Sequence, residues 1–570
     1  MRRGTIRLIT VMATAAVATG LMAGCSSKNQ VPSIGYAVDA AVASYNGGST
    51  LGASSGSAAV FGRVLTGFFY TGPDGQQVAD TDAGTAKEVP GETQTVQYRL
   101  NPDGVYSDGV ATSCDDLVLA WAARSGRFTR PGDRGPVPLF DAASTAGYED
   151  IERVDCQPGS KDATVVFRPG RHYLPWRTLF TAAELMPAHV VAQAVGLPNV
   201  VNALQTGDGA VLGRIADFWN SGWTMQPGSL ELTKFPSSGP YRIESFSASD
   251  GLVLVANEKW WGAAPATSRI VVWPKGTDYA AKAKENALGV VDVGAGSVAD
   301  LSLDGFDEQT IAGRGAEQLV LGTAGVFGPL EVRRAFAQCV PRQALFDTLG
   351  KAGEPPKSGL GAGPLNAHVV QQDSLYYPAV IGAADQYRGA DVAAATATLA
   401  SAKAGQPTIR IGYRAPDARR AKTVAMIAES CRGAGITVVD AGAPDFTPAK
   451  LAEGAVDAVL GSTASVPGPA GSATGVAAFS ALRAGSGLDV GGFANGRYDA
   501  ITDQLAGEAD STATLNLLTE AENLLWAQLP SIPLFATPRT IAFGAGMQNG
   551  IAGPTQAGTG WNMDRWVLQR

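Results

Sequence analysis

Short runs of apolar residues recur along the chain and predict β-strands. They occur at residues 96–100, 165–167, 252–255, 270–273 and 409–411. Alternation with a period of two buries one face of a strand, whereas a continuous apolar run suits a strand that is buried on both faces. Glycine-rich stretches such as 47–57 and 454–475 contain few apolar residues, and we expect them to form loops.

Helices are predicted between these runs. Ser113 begins one, because Asp116 completes an S-x-x-D capping box ahead of an apolar stretch. A second helix is predicted over residues 332–340, where Pro341 ends it.

One segment predicts a strand, a helix and a second strand in succession. Residues 408–413 and 435–439 have strand patterns, and residues 423–431 between them have a helical pattern that Gly435 follows. Such a βαβ unit pairs its two strands in parallel. The chain therefore contains α/β architecture.

Composition narrows the class of protein further. The chain has 570 residues, of which 45% are hydrophobic and 17% charged, so we expect a folded chain of several lobes. A formal net charge of −8 lacks the basic excess that nucleic-acid binding requires. Only three histidines occur (His172, His189 and His368), which leaves little material for a metal or acid–base site, and we expect no cofactor.

The N-terminus has the pattern of an export signal. Arg2, Arg3 and Arg7 precede an uncharged stretch over residues 8–27 that includes Leu-Met-Ala-Gly-Cys at residues 21–25. A small-small-Cys ending resembles the lipobox of bacterial lipoproteins, which predicts a signal peptide over residues 1–24 and a diacylated Cys25. An ordinary secretory signal and a transmembrane helix are the alternatives. Removal of residues 1–24 changes the net charge to −11.

Three segments together resemble the extracellular solute-binding proteins of peptide and nickel ABC transporters, called family 5. The segments are T-V-Q-Y-R-L-N-P-D-G-V-Y-S-D-G at 95–109, S-S-G-P-Y-R-I at 237–243 with N-E-K-W-W-G at 257–262, and V-R-R-A-F-A at 332–337. They are similar to the family's S-D-G turn, its G-P-Y-[KR] strand and its V-R-R-A helix. Within the family, the chain resembles the actinobacterial lipoproteins.

The resemblance implies a fold and a location. The expected fold is α/β, two-lobed and like the periplasmic binding proteins (class II, cluster C type), with an extra subdomain on lobe I. We expect lobe I over residues 25–273, including a subdomain at about 61–150, lobe II over 274–535, and a C-terminal return to lobe I over 536–570. The expected place is the extracytoplasmic (periplasmic) face of the cell membrane, where the lipid anchors a monomer.

Four cysteines remain after Cys25, and an exported protein meets an oxidising environment. Of the three possible pairings we favour Cys114–Cys156 with Cys339–Cys431, because each pair then lies within one expected lobe. Four reduced, buried thiols are the alternative.

The ligand site is predicted less sharply. Aromatic residues and loop residues near strand ends are candidates, since aromatic rings offer stacking area with a polar tip. The six predicted ligand-binding residues are Tyr45, Asn46, Ser238, Gly239, Tyr413 and Trp561.

The chain departs from the peptide-binding members at one point. Many of them carry an acidic D-P-x-x-[FY] segment whose aspartate pairs with the peptide amino group, after a strand that corresponds to residues 456–460 here. The equivalent stretch, 461–469, contains no carboxylate. Binding of a free amine at that position is therefore not expected. No histidine cluster or obvious carboxylate set indicates a nickel or other metal site.

A catalytic alternative rests on Gly-Ala-Ser-Ser-Gly at residues 52–56, which matches the G-x-S-x-G pattern of hydrolases. That motif has to follow a buried strand, whereas polar and glycine residues precede Ser54 here. We therefore expect no enzyme.

The leading hypothesis is a lipid-anchored solute-binding component of an ABC importer, which captures an oligopeptide or peptide-like solute between its lobes. It would deliver this solute to permease and ATPase subunits in the membrane. The alternative is an accessory lipoprotein with the same fold that acts in cell-envelope assembly by binding proteins or glycolipids.

Overall fold

The structure is a computed structural model that describes residues 30–132, 136–207, 209–462 and 481–570. Its strands are β1 (Ile34–Val38), β2 (Phe69–Thr71), β3 (Gln77–Ala79), β4 (Gly84–Val89), β5 (Thr95–Leu100), β6 (Thr129–Arg130), β7 (Val137–Pro138), β8 (Ile151–Asp155), β9 (Asp162–Phe167), β10 (Tyr241–Ser247), β11 (Gly251–Ala256), β12 (Arg269–Trp273), β13 (Val290–Gly294), β14 (Phe306–Leu321), β15 (Thr408–Gly412), β16 (Thr437–Asp440), β17 (Ala458–Ser462), β18 (Ser531–Gly544), β19 (Met547–Gln548) and β20 (Val567–Leu568).

Helices cover the sheets. The α-helices are α1 (Thr50–Ser55), α2 (Ala58–Phe61), α3 (Cys114–Arg124), α4 (Ala188–Val195), α5 (Val201–Thr206), α6 (Gly209–Ser221), α7 (Tyr279–Lys284), α8 (Leu330–Cys339), α9 (Arg342–Leu345), α10 (Tyr377–Val380), α11 (Val392–Ala402), α12 (Ala418–Arg432), α13 (Ala449–Ala452), α14 (Gly496–Gly507) and α15 (Ser511–Gln528). Shorter 3₁₀ segments occur at Trp176–Thr178, Leu232–Lys234, Gly325–Phe327, Ile381–Tyr387 and Thr559–Arg565, and a π-helical turn at Phe346–Gly350.

Ten strands form one mixed sheet in the order β10-β11-β12-β1-β13-β18-β14-β17-β15-β16. In its first half β1 pairs in parallel with β12 and β13. In its second half β15 pairs in parallel with β16 and β17. The sheet thus joins two α/β halves, as the resemblance implies.

Two long strands connect these halves. β14 and β18 pair antiparallel over most of their length, and their register shifts between Ala312 and Ala316. β18 begins among second-half residues such as Ile532 and ends among first-half residues such as Ile541. The two halves are therefore linked through a paired ribbon whose regular pairing is interrupted in the middle.

Each half has its own hydrophobic core. The first core buries β1, β11 and β12 together with α3 and the segments around residues 176–225. The second core buries α8, α12, β15 and the start of β18. A smaller cluster, formed by α14, α15 and residues 367–380, packs beside the second core.

The strand pairings indicate where the chain crosses from the first half to the second. The sequence places the first boundary at residues 273–274, yet β13 still pairs with β1. This pairing favours a crossing within β14, because the segment after Pro274 adds another strand to the first half. We place the second crossing within β18, between Phe535 and Ile541. A separate four-stranded sheet, β4-β5-β9-β8, lies on the first half where the subdomain is expected, and it extends to Phe167.

Most local predictions agree with the structure. The βαβ unit is β15-α12-β16, and α3 begins at a capping box in which Ser113 and Asp116 both take part. The loop predictions over residues 47–57 and 454–475 are wrong in part, because Thr50–Ser55 forms α1 and Ala458–Ser462 forms β17; residues 463–475 lie outside the described residues. The Ser49 side chain accepts a hydrogen bond from the Gly52 amide at 3.0 Å, so an N-cap begins this helix despite its glycines.

The two ends of the described chain meet on the first half. Gln30 bridges Gln569, and the Val31 amide donates to the carbonyl of Leu568 at 2.9 Å. Both ends therefore leave the molecule from the same place.

Candidate functional site

A cleft of about 350 Å³ lies between the two halves, beside the interrupted ribbon of β14 and β18. One wall comes from first-half residues between 38 and 59 and includes Lys275 and Asp292. The opposite wall comes from Arg414, Arg420, residues 446–448, 459–461 and 481–490. Ligand clefts of binding proteins have volumes of about 300–1,000 Å³ and bury most of a small solute. This cleft is therefore the candidate functional site.

The first wall is a tight turn that leads into α1. Asn46 shapes the turn, because its Oδ1 accepts from the Gly48 amide at 3.1 Å and its Nδ2 donates to the carbonyl of Trp219 at 3.2 Å. A Cβ added to Gly52 would lie 1.8 Å from the carbonyl oxygen of Asn46. Glycine is thus required at position 52, and α1 presents Leu51 and neighbouring small residues to the cleft.

The opposite wall stands at the carboxyl end of β15. Gly412 ends that strand, and Arg414 bridges Ala443 in parallel just beyond it. A small apolar cluster lies behind this point; its members are Phe446, Leu451, Val456 and Val459, with Val320, Ala441, Ala443 and Val490 packed against them. Carboxyl ends of parallel strands are the usual place for ligand-binding residues in open α/β sheets.

Ion pairs connect the two walls beside the cleft. The Nζ atom of Lys275 lies 2.7 Å from Oδ1 of Asp39 on the first half and 2.8 Å from Oδ2 of Asp417 on the second half. Asp417 also caps α12, since its side chain accepts from the Arg420 amide at 3.0 Å. Burial opposes ionisation of Asp39, but Lys275 and Arg420 outweigh burial and hold its pKa below the usual value. These contacts hold the walls together.

Two further ion pairs involve Arg539 of β18 and Glu317 of β14. Arg539 donates to Asp292, and Arg420 donates to Oε1 of Glu317 at 2.8 Å. Burial of Glu317 raises its pKa, but the guanidinium groups of Arg419 and Arg420 more than offset this and lower the pKa to about 2. Glu317 is therefore ionised at neutral pH, and both carboxylates are bound to arginines of the protein itself.

Two charged side chains of the cleft have no such partner. Arg414 forms no ion pair within the described chain, and its buried Nε atom has no hydrogen-bond partner there. Asp489 accepts a hydrogen bond from the Phe493 amide at 3.0 Å, and likewise has no ion pair with a described cation. Both side chains are half-buried. They are the groups of the cleft that are free to bind a charged solute.

The structure places the predicted ligand residues Tyr45 and Asn46 inside the first core. The Tyr45 hydroxyl donates to the carbonyl of Pro236 at 3.0 Å, and its ring packs edge-on against Phe61. Asn46 has the turn-forming contacts given above and is 1% exposed. Neither residue lines the cleft, although Ala43 before them and Thr50 after them do.

The other four predicted residues are also engaged elsewhere. Ser238 Oγ accepts from the Thr66 amide at 3.0 Å, and a Cβ at Gly239 would lie 2.7 Å from the carbonyl oxygen of Arg63. The Tyr413 hydroxyl lies 3.0 Å from Asp440, and Trp561 stacks on Tyr70 with ring centroids 6.3 Å apart. None of the four lines the cleft. Ligand contact by these six residues stays a prediction, which the shape of the cleft does not favour.

Both favoured disulfides are present. Cys114 pairs with Cys156, and Cys339 at the end of α8 pairs with Cys431 in α12. The group of possible metal ligands found in the described chain consists of Cys114, Asp115 and Cys156, and the disulfide occupies both of its sulfur atoms. Cys25 and its lipid anchor lie outside the described residues.

The hydrolase alternative gains no support from the structure. Ser54 lies within α1 rather than at a turn after a buried strand. Its hydroxyl donates to the carbonyl of Leu51 at 3.2 Å. The geometry of a nucleophile elbow is therefore absent at Ser54.

Sequence reasoning missed the cleft residues Lys275, Arg414 and Asp489. Arg414 had a signal, since it directly follows a predicted strand at the end where sites form. Asp489 lies between the glycine-rich stretches 485–487 and 491–492, which also suggests an exposed functional loop. Lys275 offers no such signal, because its partners Asp39 and Asp417 are remote in the sequence.

Solved structures share this architecture. The periplasmic EDTA-binding protein EppA matches with a TM-score of 0.72 at 20% identity, over 95% of this chain and 97% of that chain. The oligopeptide binding protein from Thermus thermophilus, complexed with a pentapeptide, matches with a TM-score of 0.71 at 15% identity, over 94% and 96% of the two chains. The fold is therefore that of the two-lobed periplasmic binding proteins.

Sequence comparison gives the family. Residues 83–478 match "Bacterial extracellular solute-binding proteins, family 5 Middle". An uncharacterized lipoprotein of Mycobacterium tuberculosis is 39% identical over 574 residues, which cover 100% of this chain and 99% of the relative. The chain belongs to family 5 of the bacterial extracellular solute-binding proteins, whose members bind solutes for ABC transporters and are not enzymes.

Within residues 30–132, 136–207, 209–462 and 481–570, no helix combines the length and the apolar character that a membrane span needs. The full-length mycobacterial relative is named a lipoprotein.

Proposed function

We propose that this protein is the lipid-anchored solute-binding component of an ABC importer, and that it captures an oligopeptide or peptide-like solute in the cleft. The observation that carries the proposal is the position of the cleft. It lies between two separately packed cores that are joined by the β14–β18 ribbon, and both halves contribute to its walls. A solute bound there touches both halves at once.

The ribbon provides a means of opening. The register of β14 against β18 shifts between Ala312 and Ala316, and we infer that the two strands bend at this point when the cleft opens. Gly313 and Gly315 line the cleft at this point, and glycine tolerates changes in backbone angles. Hinge closure of two lobes around a solute is selected by contacts that exist only when both walls meet the ligand.

Attachment to the membrane completes the proposal. Cys25 follows an export signal and has the small residues of a lipobox before it, and the full-length relative is named a lipoprotein. Two or more acyl chains anchor a protein stably, whereas one chain binds only marginally. A tethered binding protein keeps its captured solute close to the permease and ATPase subunits.

The proposal is tested by asking what the purified, lipid-modified protein binds. Native mass spectrometry of the protein from its own membranes should show an added small mass, which denaturing conditions release for identification. Thermal melting with libraries of short peptides should then show stabilisation, which amounts to about 2.7 kcal/mol at a ligand concentration 100-fold above Kd. A protein without bound solute that no peptide stabilises, and that instead binds envelope proteins or glycolipids, would favour the accessory function.

A further inference from the structure

The charged residues of the cleft fall into two groups. Lys275, Arg420 and Arg539 are each bound to carboxylates of the protein itself. Arg414 and Asp489 have no ionic partner among residues 30–132, 136–207, 209–462 and 481–570. The wall therefore exposes one unpaired cation and one unpaired anion to the same cavity.

The buried Nε atom of Arg414 has no hydrogen-bond acceptor within the described chain. Burial lowers its pKa, and the charge of Asp445 offsets this effect only in part. A guanidinium group that is partly removed from water without a partner loses hydration energy that nothing replaces. A carboxylate supplies two oxygen atoms in the geometry of the guanidinium fork and can accept two parallel hydrogen bonds.

Asp489, in contrast, lacks a cationic partner in the part of the chain that the structure describes. Its carboxyl group is half-buried, and this burial, together with the negative charge of Asp499, raises the pKa to about 7. Hydrogen bonds from the Phe493 and Gly492 amides lower the pKa but do not compensate for burial. A cationic group placed beside Asp489 would favour the ionised carboxylate and would satisfy its remaining oxygen lone pairs.

The two groups border the same apolar cluster. Arg414 bridges Ala443, and Val490, the neighbour of Asp489, packs against the cluster to which Ala443 belongs. Phe446, a buried member of this cluster, lines the cleft with them. A solute that spans the wall therefore meets a cation, an apolar surface and an anion together.

We propose that the cleft recognises a solute that carries both a carboxylate and an amine, with Arg414 binding the carboxylate and Asp489 binding the amine. This inference rests on the proposed function, since it assigns the ligand chemistry of the same cleft. Asp489 would also provide the carboxylate for the amine that residues 461–469 lack. A simple anion would satisfy Arg414 but leave Asp489 unpaired, and a simple cation would do the reverse.

The test compares three tripeptide libraries on the wild-type protein: one with free termini, one with acetylated amines and one with amidated carboxylates. Blocking either end should weaken binding by about 10- to 100-fold, because a charge-assisted hydrogen bond is lost and its buried partner stays unpaired. Isothermal titration of the tightest peptide and its two blocked forms gives the ratios.

Variants assign each end to a residue. In Arg414→Gln, the free peptide should bind as weakly as its amide, and amidation should have no further effect. Asp489→Asn should remove the effect of acetylation in the same way. The controls lie outside the cleft: Arg410→Gln on β15, whose guanidinium pairs with Asp457, and Asp347→Asn at an exposed position of the second half. Melting without peptide distinguishes a folding defect from lost affinity.

Each outcome has a definite meaning. Equal binding of free and blocked peptides overturns the inference and leaves peptide capture standing. A loss on amidation alone overturns the role of Asp489, and a loss on acetylation alone overturns that of Arg414. If none of the libraries binds, the proposed peptide function fails as well.

Discussion

Replacing Lys275 with methionine should weaken the contact that holds the two halves together. The Lys275 Nζ atom lies 2.7 Å from Asp39 and 2.8 Å from Asp417, and the side chain of Asp417 is fully buried. Methionine keeps the apolar stem of lysine and removes the charge. Removal of one partner of a buried ion pair typically costs about 3–5 kcal/mol, because the other charge stays buried and unpaired.

The remaining contacts reduce this cost. Arg420 lies 3.7 Å from Asp417 and stays in place, and the side chain of Asp39 is 24% exposed and can gain water. We therefore expect the free energy of unfolding to fall by about 2–3 kcal/mol. Part of the effect should appear as opening, since Asp417 is hydrated once the second half moves away from Lys275.

Urea unfolding measures the stability, and small-angle X-ray scattering of the unliganded protein measures the opening. Lys351→Met is the matched control, because Lys351 pairs with Asp347 on the surface, where an ion pair contributes at most about 1 kcal/mol. The ion pair also makes stability depend on pH. Because the pKa of Asp39 is lowered in the folded state, its contribution is present at neutral pH and is lost as Asp39 takes up a proton in acid. Lys275→Met should lose less stability on acidification.

Equal urea midpoints for Lys275→Met and Lys351→Met would refute this reasoning, as would unchanged scattering together with unchanged ligand affinity. Either result would mean that Arg420 at Asp417 and water at Asp39 replace the lysine, so that Lys275 contributes nothing measurable to the contact between the halves.

Three further predictions concern other parts of the molecule. Replacing Cys339 and Cys431 by serine should lower the unfolding free energy by about 4–5 kcal/mol in the chain-entropy model, because the two residues are 92 positions apart. A urea midpoint equal to that of the disulfide-bonded protein would contradict this prediction. Affinity for a peptide with a free amine should rise between about pH 5 and 7, because the pKa of Asp489 is about 7 and only its carboxylate attracts the amine, which stays protonated in this range. Calorimetry on Asp489→Asn should give a flat profile over the same range, and an equal rise there would count against the assignment. Arg342→Met should lower the unfolding free energy by about 3 kcal/mol, because the fully buried Arg342 donates to three carbonyl groups, including that of Pro533. Thermal and urea unfolding would measure this change, and a value below about 1 kcal/mol would show that water replaces these hydrogen bonds.

Local patterns in the sequence predicted much of the fold, since they report on nearest neighbours. The capping box at Ser113 and the βαβ pattern over residues 408–439 each act within a few dozen residues. The order of the ten-stranded sheet depends instead on long-range pairing, because more than 200 residues separate β14 from β18. The ribbon that joins the halves depends on that pairing, and no local pattern predicts it.

The candidate site was less predictable for a related reason. Large aromatic residues such as Tyr45 are conspicuous in a sequence, but burial in the core satisfies them better than exposure in a cleft. The first wall consists mostly of small residues, including Ala40 and Ala53, which have no distinctive signal. Arg414 and Asp489 are notable only because other charges of the cleft are paired, and that pairing is a property of the folded chain.

The meeting of the two chain ends on the first half has a mechanical consequence. Residue 30 lies beside residue 569, and the predicted lipid at Cys25 is only a few residues further along. In the proposed importer component, the membrane would therefore hold the first half in place, and the second half would be the part that moves. A tether of so few residues would keep the protein close to the bilayer, so a released solute would have little distance to diffuse before it meets a transporter.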